Sequence, residues 1–178
     1  MDAPIDWRIM MSRAARSLRD GGCYYIQTQS YRNQKIFKMD LDYEQYIQLI
    51  RKYKLKFKVN VYAYCLTPAS VHLIVKPHHM RGLSAFMQGL SQSYALFFNR
   101  RYNGMGKVWG QRYKSVLFDE NHDLYRYMKS IEFIPVEERR VDSPVEYPWS
   151  SCTNRVLGPE GIIDLVVPSG MSVNKSLN

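Results

Sequence analysis

Two runs of apolar residues stand close together near the middle of the chain and predict a hairpin of two strands. The runs at residues 59–66 and 71–75 are rich in β-branched and aromatic residues. Pro68 lies between them and cannot donate a ladder hydrogen bond, so we expect the turn there. At a period of two, Ser70 and His72 point to the same face of the second strand. His72 therefore lies on a strand that otherwise resembles core.

Apolar residues at helical spacing predict three helices around this hairpin. The last of them should end before Pro135, because the residue before a proline avoids helical geometry. In chain order we expect a strand at 23–30, a polar connection at 32–35, a helix at 40–53, the hairpin, a helix at 83–102, a strand at 116–118 and a helix at 121–133. This order is typical of an α+β, ferredoxin-like βαββαβ antiparallel sheet with helices packed on one face, plus a C-terminal helix and tail.

The length and composition fit a single domain with short tails. With 178 residues and 46% hydrophobic residues, the chain can build one full core. We expect a basic N-terminal arm or helix at 1–21, the domain at 22–155 and a partly disordered tail at 156–178, in which residues 162–167 can pack as a short strand. No signal peptide or bilayer-spanning run is visible, and the three cysteines are far apart. A cytoplasmic protein with free thiols and no membrane contact is therefore expected.

An excess of positive charge indicates a polyanionic partner. The chain has 25 Lys and Arg against 16 Asp and Glu, a net charge of +9, which is typical of nucleic-acid-binding domains. Solubility alone is the alternative explanation. Residues 106–115 are the strongest candidate segment, because cations that can contact phosphates alternate with rings that can stack on bases. The candidate DNA-binding residues are Lys107, Trp109, Arg112, Tyr113 and Lys114, assisted by Arg13, Arg16 and Arg19; a core position is the alternative for Trp109.

The histidines alone are weak evidence for a metal site. No second ligand lies at metal spacing from His72, so a hydrogen-bonded strand histidine is the simpler interpretation. His78 and His79 are adjacent, and adjacent side chains on extended backbone point to opposite sides. A polar loop is therefore the preferred interpretation of that pair.

Several different short motifs follow one another in a fixed order between residues 24 and 151. They include Ala63-Tyr64-Cys65-Leu66-x-Pro68, Val71-His72-Leu73-Ile74-Val75, Trp109-x-x-Arg112-Tyr113-Lys114-Ser115 and Tyr147-Pro148-Trp149-Ser150-Ser151. Together they resemble the REP-associated tyrosine transposases, a branch of the HUH superfamily of single-strand DNA transposases. The resemblance implies DNA as the partner. In an active member it also implies a divalent metal bound by two strand histidines and a later helical residue, with a helical tyrosine that attacks the scissile phosphate.

Most of the reactive groups implied by the resemblance are substituted. The first strand histidine falls on Ser70, which leaves His72 as the only retained metal ligand. Counted from Pro135, the attacking tyrosine falls on Ser130 and the later ligand on Ile134. One imidazole is a poor site for Mg²⁺ or Mn²⁺. We therefore expect no cofactor, with Mg²⁺ or Mn²⁺ required only if the protein is active.

Three functions remain open from the sequence. The first is a transposase-like DNA-binding protein that recognises single-stranded or hairpin (repetitive palindromic) DNA and is catalytically inactive. The alternative is an active metal-dependent transposase or nickase that forms a 5′-phosphotyrosine through Tyr127, with Asp119 or His122 as a displaced ligand. The third is a folded remnant without a partner. The sequence also leaves open which target sequence is bound, whether the nucleic acid is RNA or DNA, and whether the protein is a monomer or a homodimer.

Overall fold

Four antiparallel strands form one sheet, in the order β2-β3-β1-β4, in the computed structural model, which describes residues 19–153 and 163–164. The strands are β1 (Cys23–Gln29), β2 (Val59–Thr67), β3 (Ser70–Pro77) and β4 (Lys114–Phe118). Within the described residues the long helices are α1 (Asp40–Phe57), α2 (Met80–Arg101) and α3 (Glu120–Glu137), with short 3-10 turns at Tyr31–Asn33 and Pro144–Glu146 and helical residues at 151–153. The βαββαβ order confirms the predicted ferredoxin-like fold.

The predicted hairpin forms the β2–β3 half of the sheet. Its register runs from Val59 opposite Pro77 to Thr67 opposite Ser70, so only residues 68 and 69 make the turn. β1 then pairs with β3 on one side and with β4 on the other. The two central strands are therefore β3 and β1, and the start of β4 lies beside the end of β1.

The two faces of the sheet carry separate hydrophobic clusters. Ile26 and Leu73 pack under α1 and α2, whereas Tyr25 and Ile74 pack under α3 on the opposite face. Neighbouring residues of one strand thus go to different clusters, as a period of two predicts. By the same alternation His72 lies on the face that α3 covers in part.

The end of α3 differs from the sequence-based prediction. The helix does not stop before Pro135 but continues to Glu137. Inside a helix a proline removes the N–H that would donate to the carbonyl four residues earlier, and its ring crowds that carbonyl. Ile134 and Pro135 are both buried, and the N–H of Glu138 donates to the carbonyl of Ile134 at 2.8 Å. Packing of the last turn therefore outweighs the local preference of the proline.

Later parts of the chain cover the outer edge of β2. The N–H of Leu66 donates to the carbonyl of Trp149 at 2.9 Å. Farther along the strand, the N–H of Val61 donates to the Asp164 carboxylate at 2.7 Å, and this carboxylate pairs with Lys54 Nζ at 2.9 Å. Residues 163–164 of the predicted tail therefore pack on the domain. The other tail residues from 156 onward and residues 1–18 of the arm, including Arg13 and Arg16, lie outside the described residues.

Among the residues described, no helix is both long and apolar enough to cross a membrane. The three cysteines carry free thiols, as predicted, and Cys23 and Cys65 are buried. Burial raises the pKa of Cys23 to about 12 and the pKa of Cys65 well above its ordinary value. Neither of these two thiols is a reactive thiolate near neutral pH.

Candidate nucleic-acid interface

His72 lies in a buried chain of hydrogen bonds. Its Nδ1 is 2.8 Å from Tyr25 Oη, and its Nε2 is 2.8 Å from Ser70 Oγ. Ser70 Oγ is in turn 2.7 Å from Thr67 Oγ1, and all four side chains are buried. In a neutral imidazole one nitrogen donates and the other accepts, so both nitrogens of His72 are satisfied. A metal ion could bind this ring only after one of these bonds had broken.

Burial also determines the protonation states of the side chains in this hydrogen-bond network. Desolvation lowers the pKa of His72 from 6.5 to about 3, so the ring is neutral at physiological pH. The same burial raises the pKa of Tyr25 far above its ordinary value. The two groups therefore form a neutral pair, which matches a structural role better than acid–base chemistry near pH 7.

The other two substituted positions lie on α3. Ser130 Oγ donates to the carbonyl of Arg126 at 2.8 Å, one turn earlier in the same helix. Ile134 is buried in the cluster between α3 and the sheet. An aliphatic side chain and a fully hydrogen-bonded imidazole do not fit a divalent metal. In the part of the chain that the structure describes, no group of three or more His, Cys, Asp or Glu residues could hold a metal ion.

Tyr127, the alternative nucleophile, packs inside the second cluster. Its ring stacks on Phe118 with 4.0 Å between centroids and lies 6.4 Å from the ring of Tyr25. Burial, followed by the charge of Asp123, raises the pKa of Tyr127, which opposes formation of a phenolate. Of the alternative ligands, Asp119 accepts a hydrogen bond from the N–H of Asn121 at 2.9 Å and so caps α3. His122 is exposed on the first turn of that helix.

The predicted basic segment follows α2 and leads into β4. Lys107, Arg112 and Lys114 are all exposed along it. Main-chain hydrogen bonds fix its path: the N–H of Gly110 donates to Gln29 O at 2.9 Å, and the N–H of Tyr31 donates to Val108 O at 2.8 Å. The three cations are therefore presented on a backbone tied to the end of β1. Arg19 is also exposed, at the other end of that strand.

The two aromatic residues of the segment pack inward. Trp109 Nε1 donates to the carbonyl of Ser91 at 2.9 Å, and its half-buried ring lies 5.9 Å from Tyr94 and 6.1 Å from Tyr46 between centroids. Tyr113 is only 8% exposed. This packing favours the core alternative for Trp109, and burial of Tyr113 keeps its ring away from a base. A stacking role for either ring stays a prediction without geometric support.

Replacing Trp109 with alanine should lower the free energy of unfolding by about 2 kcal/mol, because the variant loses contacts with two tyrosines and a hydrogen bond. Trp109→Phe is the matched control, since it keeps a ring and should lose less. Denaturant unfolding measures both. A Trp109→Ala protein that is as stable as the wild type but binds DNA more weakly would support stacking instead.

A surface groove of about 520 Å³ opens between the basic segment and the end of β1. Its lining includes three cations and four carboxamide side chains and no acidic residue. Such a surface attracts phosphates and offers hydrogen bonds to the groups between them. The lining residues are Gln27, Gln29, Ser30, Arg32, Asn33, Gly110, Gln111, Arg112 and Lys114.

The groove adjoins the buried His72 chain. Gln27 lies opposite His72 in the β1–β3 ladder and opposite Lys114 in the β1–β4 ladder, and Gln29 lies opposite Ser70. Directly opposed residues in antiparallel strands point to the same face. The two predicted sites, cations and retained histidine, are thus neighbours on one face of the sheet.

Arg32 is a lining cation that the sequence reasoning missed. It lies in the 3-10 turn after β1 with a φ of 51°, a left-handed conformation that few residues other than glycine and asparagine adopt. Arg32 Cζ and Lys107 Nζ lie 5.1 and 5.3 Å from the centroid of the Tyr31 ring, which groups the two cations at one rim. The polar run at 32–35 was the available signal, but sequence alone did not place it beside residues 110–114.

Comparisons with known proteins identify the family and the fold of the chain. A family model described as "Transposase IS200 like" matches residues 23–130, more than half of the chain. A search of curated proteins finds no match. Among solved structures, a REP-associated tyrosine transposase bound to a REP hairpin is similar, with a TM-score of 0.67 and 18% identity over 87% of this chain and 95% of that chain. A candidate transposase from Deinococcus radiodurans R1 has a TM-score of 0.46 and 15% identity over 67% of this chain and 97% of that chain. The likeness to the REP-associated tyrosine transposase shows the fold of this chain.

Proposed function

The chain belongs to the IS200-like transposase family, and from that premise we propose that it binds single-stranded or hairpin DNA without cutting it. Its fold is the one seen in a REP-associated tyrosine transposase, as the sequence motifs predicted. Membership of the family carries a transposase-like DNA-binding role. The observation that carries the rest of the proposal is the pairing of an exposed basic groove with a neighbouring His72 that is buried and hydrogen-bonded on both nitrogens.

Charge and location support DNA as the ligand of the groove. Arg32, Arg112 and Lys114 line it, Lys107 lies at its rim, and no acidic residue competes for them in the lining. The similar transposase structure is bound to a REP hairpin, and we extend that class of ligand to this chain. Arg13 and Arg16 of the arm remain proposed as additional phosphate contacts.

The substituted positions support the absence of cleavage. The reaction implied by the family needs a nucleophilic phenol and a metal site beside the same phosphate. In this chain Ser130 stands where the family has the nucleophilic phenol. Of the metal ligands, one is replaced by Ile134, and the retained imidazole of His72 is buried. For the active alternative, Tyr127 would have to leave its stack on Phe118. We therefore propose a protein that retains DNA recognition and has lost strand transfer.

The test combines binding and cleavage on one substrate. Wild-type protein and a labelled DNA hairpin with single-stranded flanks are incubated with Mn²⁺. We expect a complex on a native gel, but neither a shortened strand nor a covalent adduct on a denaturing gel. Calorimetry with Mn²⁺ alone should show no tight one-to-one site.

Each contrary result supports a different function. A covalent adduct that disappears in Tyr127→Phe would overturn the inactive interpretation in favour of the alternative. A tight Mn²⁺ site that disappears in His72→Ala would do the same for the metal. Failure to bind any structured or single-stranded DNA would indicate that the protein is a folded remnant without a partner.

A further inference from the structure

Two carboxamide side chains in the groove hold each other in a fixed orientation. Gln29 Nε2 donates to Asn33 Oδ1 at 2.7 Å and to the carbonyl of Ala69 at 3.0 Å. A main-chain carbonyl can only accept, so the Gln29 amide must point its nitrogen this way. Both of its N–H groups are then in use, and the Asn33 oxygen is also in use.

The remaining polar atoms of this pair form one acceptor and one donor. Gln29 Oε1 and Asn33 Nδ2 have no hydrogen-bond partner within the described residues, and both side chains are exposed in the groove lining. Every nucleobase has a donor beside an acceptor on its Watson–Crick edge, for example the N6 amino group and N1 of adenine. In a duplex the opposite strand occupies that edge. A carboxamide pair with one free acceptor and one free donor is therefore complementary in hydrogen-bond type to the edge of an unpaired base.

We propose that the groove is a binding site for one unpaired nucleotide. Gln29 and Asn33 bind the Watson–Crick edge of the base, and Arg32, Arg112 and Lys114 bind the flanking phosphates. This inference rests on the proposed DNA-binding function and adds the feature that makes the protein prefer unpaired over paired nucleotides. The pair does not by itself choose between bases, because each base has both kinds of group on that edge.

The backbone of the turn supports this role. Arg32 and Asn33 have φ values of 51° and 57°, and the left-handed conformation is costly for arginine. The turn is closed by the N–H of Gln34, which donates to Tyr31 O at 3.1 Å, and by Ser30 Oγ, which donates to Gln34 O at 2.7 Å. A turn closed in this way holds Arg32 beside the carboxamide pair in the groove lining. The competing explanation for Asn33 is conformational, because asparagine tolerates this backbone well.

Asn33→Gly separates the two explanations, since glycine keeps the left-handed backbone and removes the carboxamide. The probes are a hairpin with a single-stranded extension and a blunt hairpin with the same number of phosphates. The wild type should prefer the extended probe, and the ratio of affinities should fall roughly tenfold in Asn33→Gly. Asn103→Gly is the matched control, because Asn103 has a φ of 50° and is not in the groove lining. It should leave the ratio unchanged.

Asn33→Asp is a second variant that keeps the shape of the side chain but replaces the donor with an acceptor. Its added charge weakens binding of both probes, whereas the lost donor weakens binding of the extended probe alone, so the ratio should again fall. Equal affinity of the wild type for the two probes, or an unchanged ratio in both Asn33 variants, would overturn this inference and leave the DNA-binding proposal intact. Absence of binding to both probes would instead refute the DNA-binding proposal.

Discussion

Between pH 7 and pH 4 the wild-type protein is expected to lose about 3 kcal/mol more stability than a His72→Gln variant. In the folded protein the pKa of His72 is about 3, whereas an exposed histidine has a pKa near 6.5. Between these values the unfolded chain binds one proton more than the folded chain does. Stability therefore falls as pH decreases through this window, and His72 has almost no effect on the slope above it. Urea unfolding of both proteins at several pH values measures the difference.

His78→Gln is the matched control, because it removes an exposed imidazole and should follow the wild-type pH dependence. Nuclear magnetic resonance of the ring nitrogens gives a direct second measurement, in which His72 should remain neutral at pH 5. If the wild type and His72→Gln lost equal stability between pH 7 and pH 4, and the His72 ring titrated near pH 6.5, the buried hydrogen-bond network around His72 would be contradicted. That result would also reopen His72 as a metal ligand.

The fold followed closely from local sequence signals. The hairpin was predictable because strand-forming residues flank Pro68 without interruption, and the strand alternation correctly separated Leu73 from His72. The end of α3 was not predictable, because the preference of Pro135 is local whereas the burial of Ile134 depends on the sheet. Coverage of the β2 edge by Asp164 is a contact between distant segments, and no local pattern specifies it.

The groove could be predicted only in part, for the same reason. Arg112 and Lys114 were found because they stand in a basic run. Arg32 and Asn33 became neighbours of that run only through the pairing of β1 with β4. Aromatic residues between cations are ambiguous in sequence, since an amphipathic ring suits both a core and a base. For Trp109 the hydrogen bond to Ser91 favours the core.

Replacing Lys107, Arg112 and Lys114 together with alanine should weaken hairpin DNA binding roughly 100- to 500-fold at 0.1 M salt. Each phosphate contact contributes about 0.7 to 0.9 units to the slope of log K against log[salt], the lower value applying to single strands. Losing three contacts should therefore reduce the slope by roughly 2 to 3 units. Titrations at several salt concentrations measure slope and affinity together. Because all three side chains are exposed, the variant should remain folded.

A second triple variant separates local contacts from overall charge. Lys52 and Lys56 on α1 and Lys129 on α3 are exposed and lie outside the groove lining, and their replacement by alanine removes the same three charges. If phosphates bind at the groove, this control should retain most of the slope, because none of its three side chains lines the groove and salt screens exposed charges that do not contact the DNA. If the control loses the slope and the groove variant keeps it, the DNA contacts the helical surface instead. If both triple variants lost the same small part of the slope, net charge and no particular site would attract the DNA. The groove proposed to bind one nucleotide would then contact no flanking phosphates.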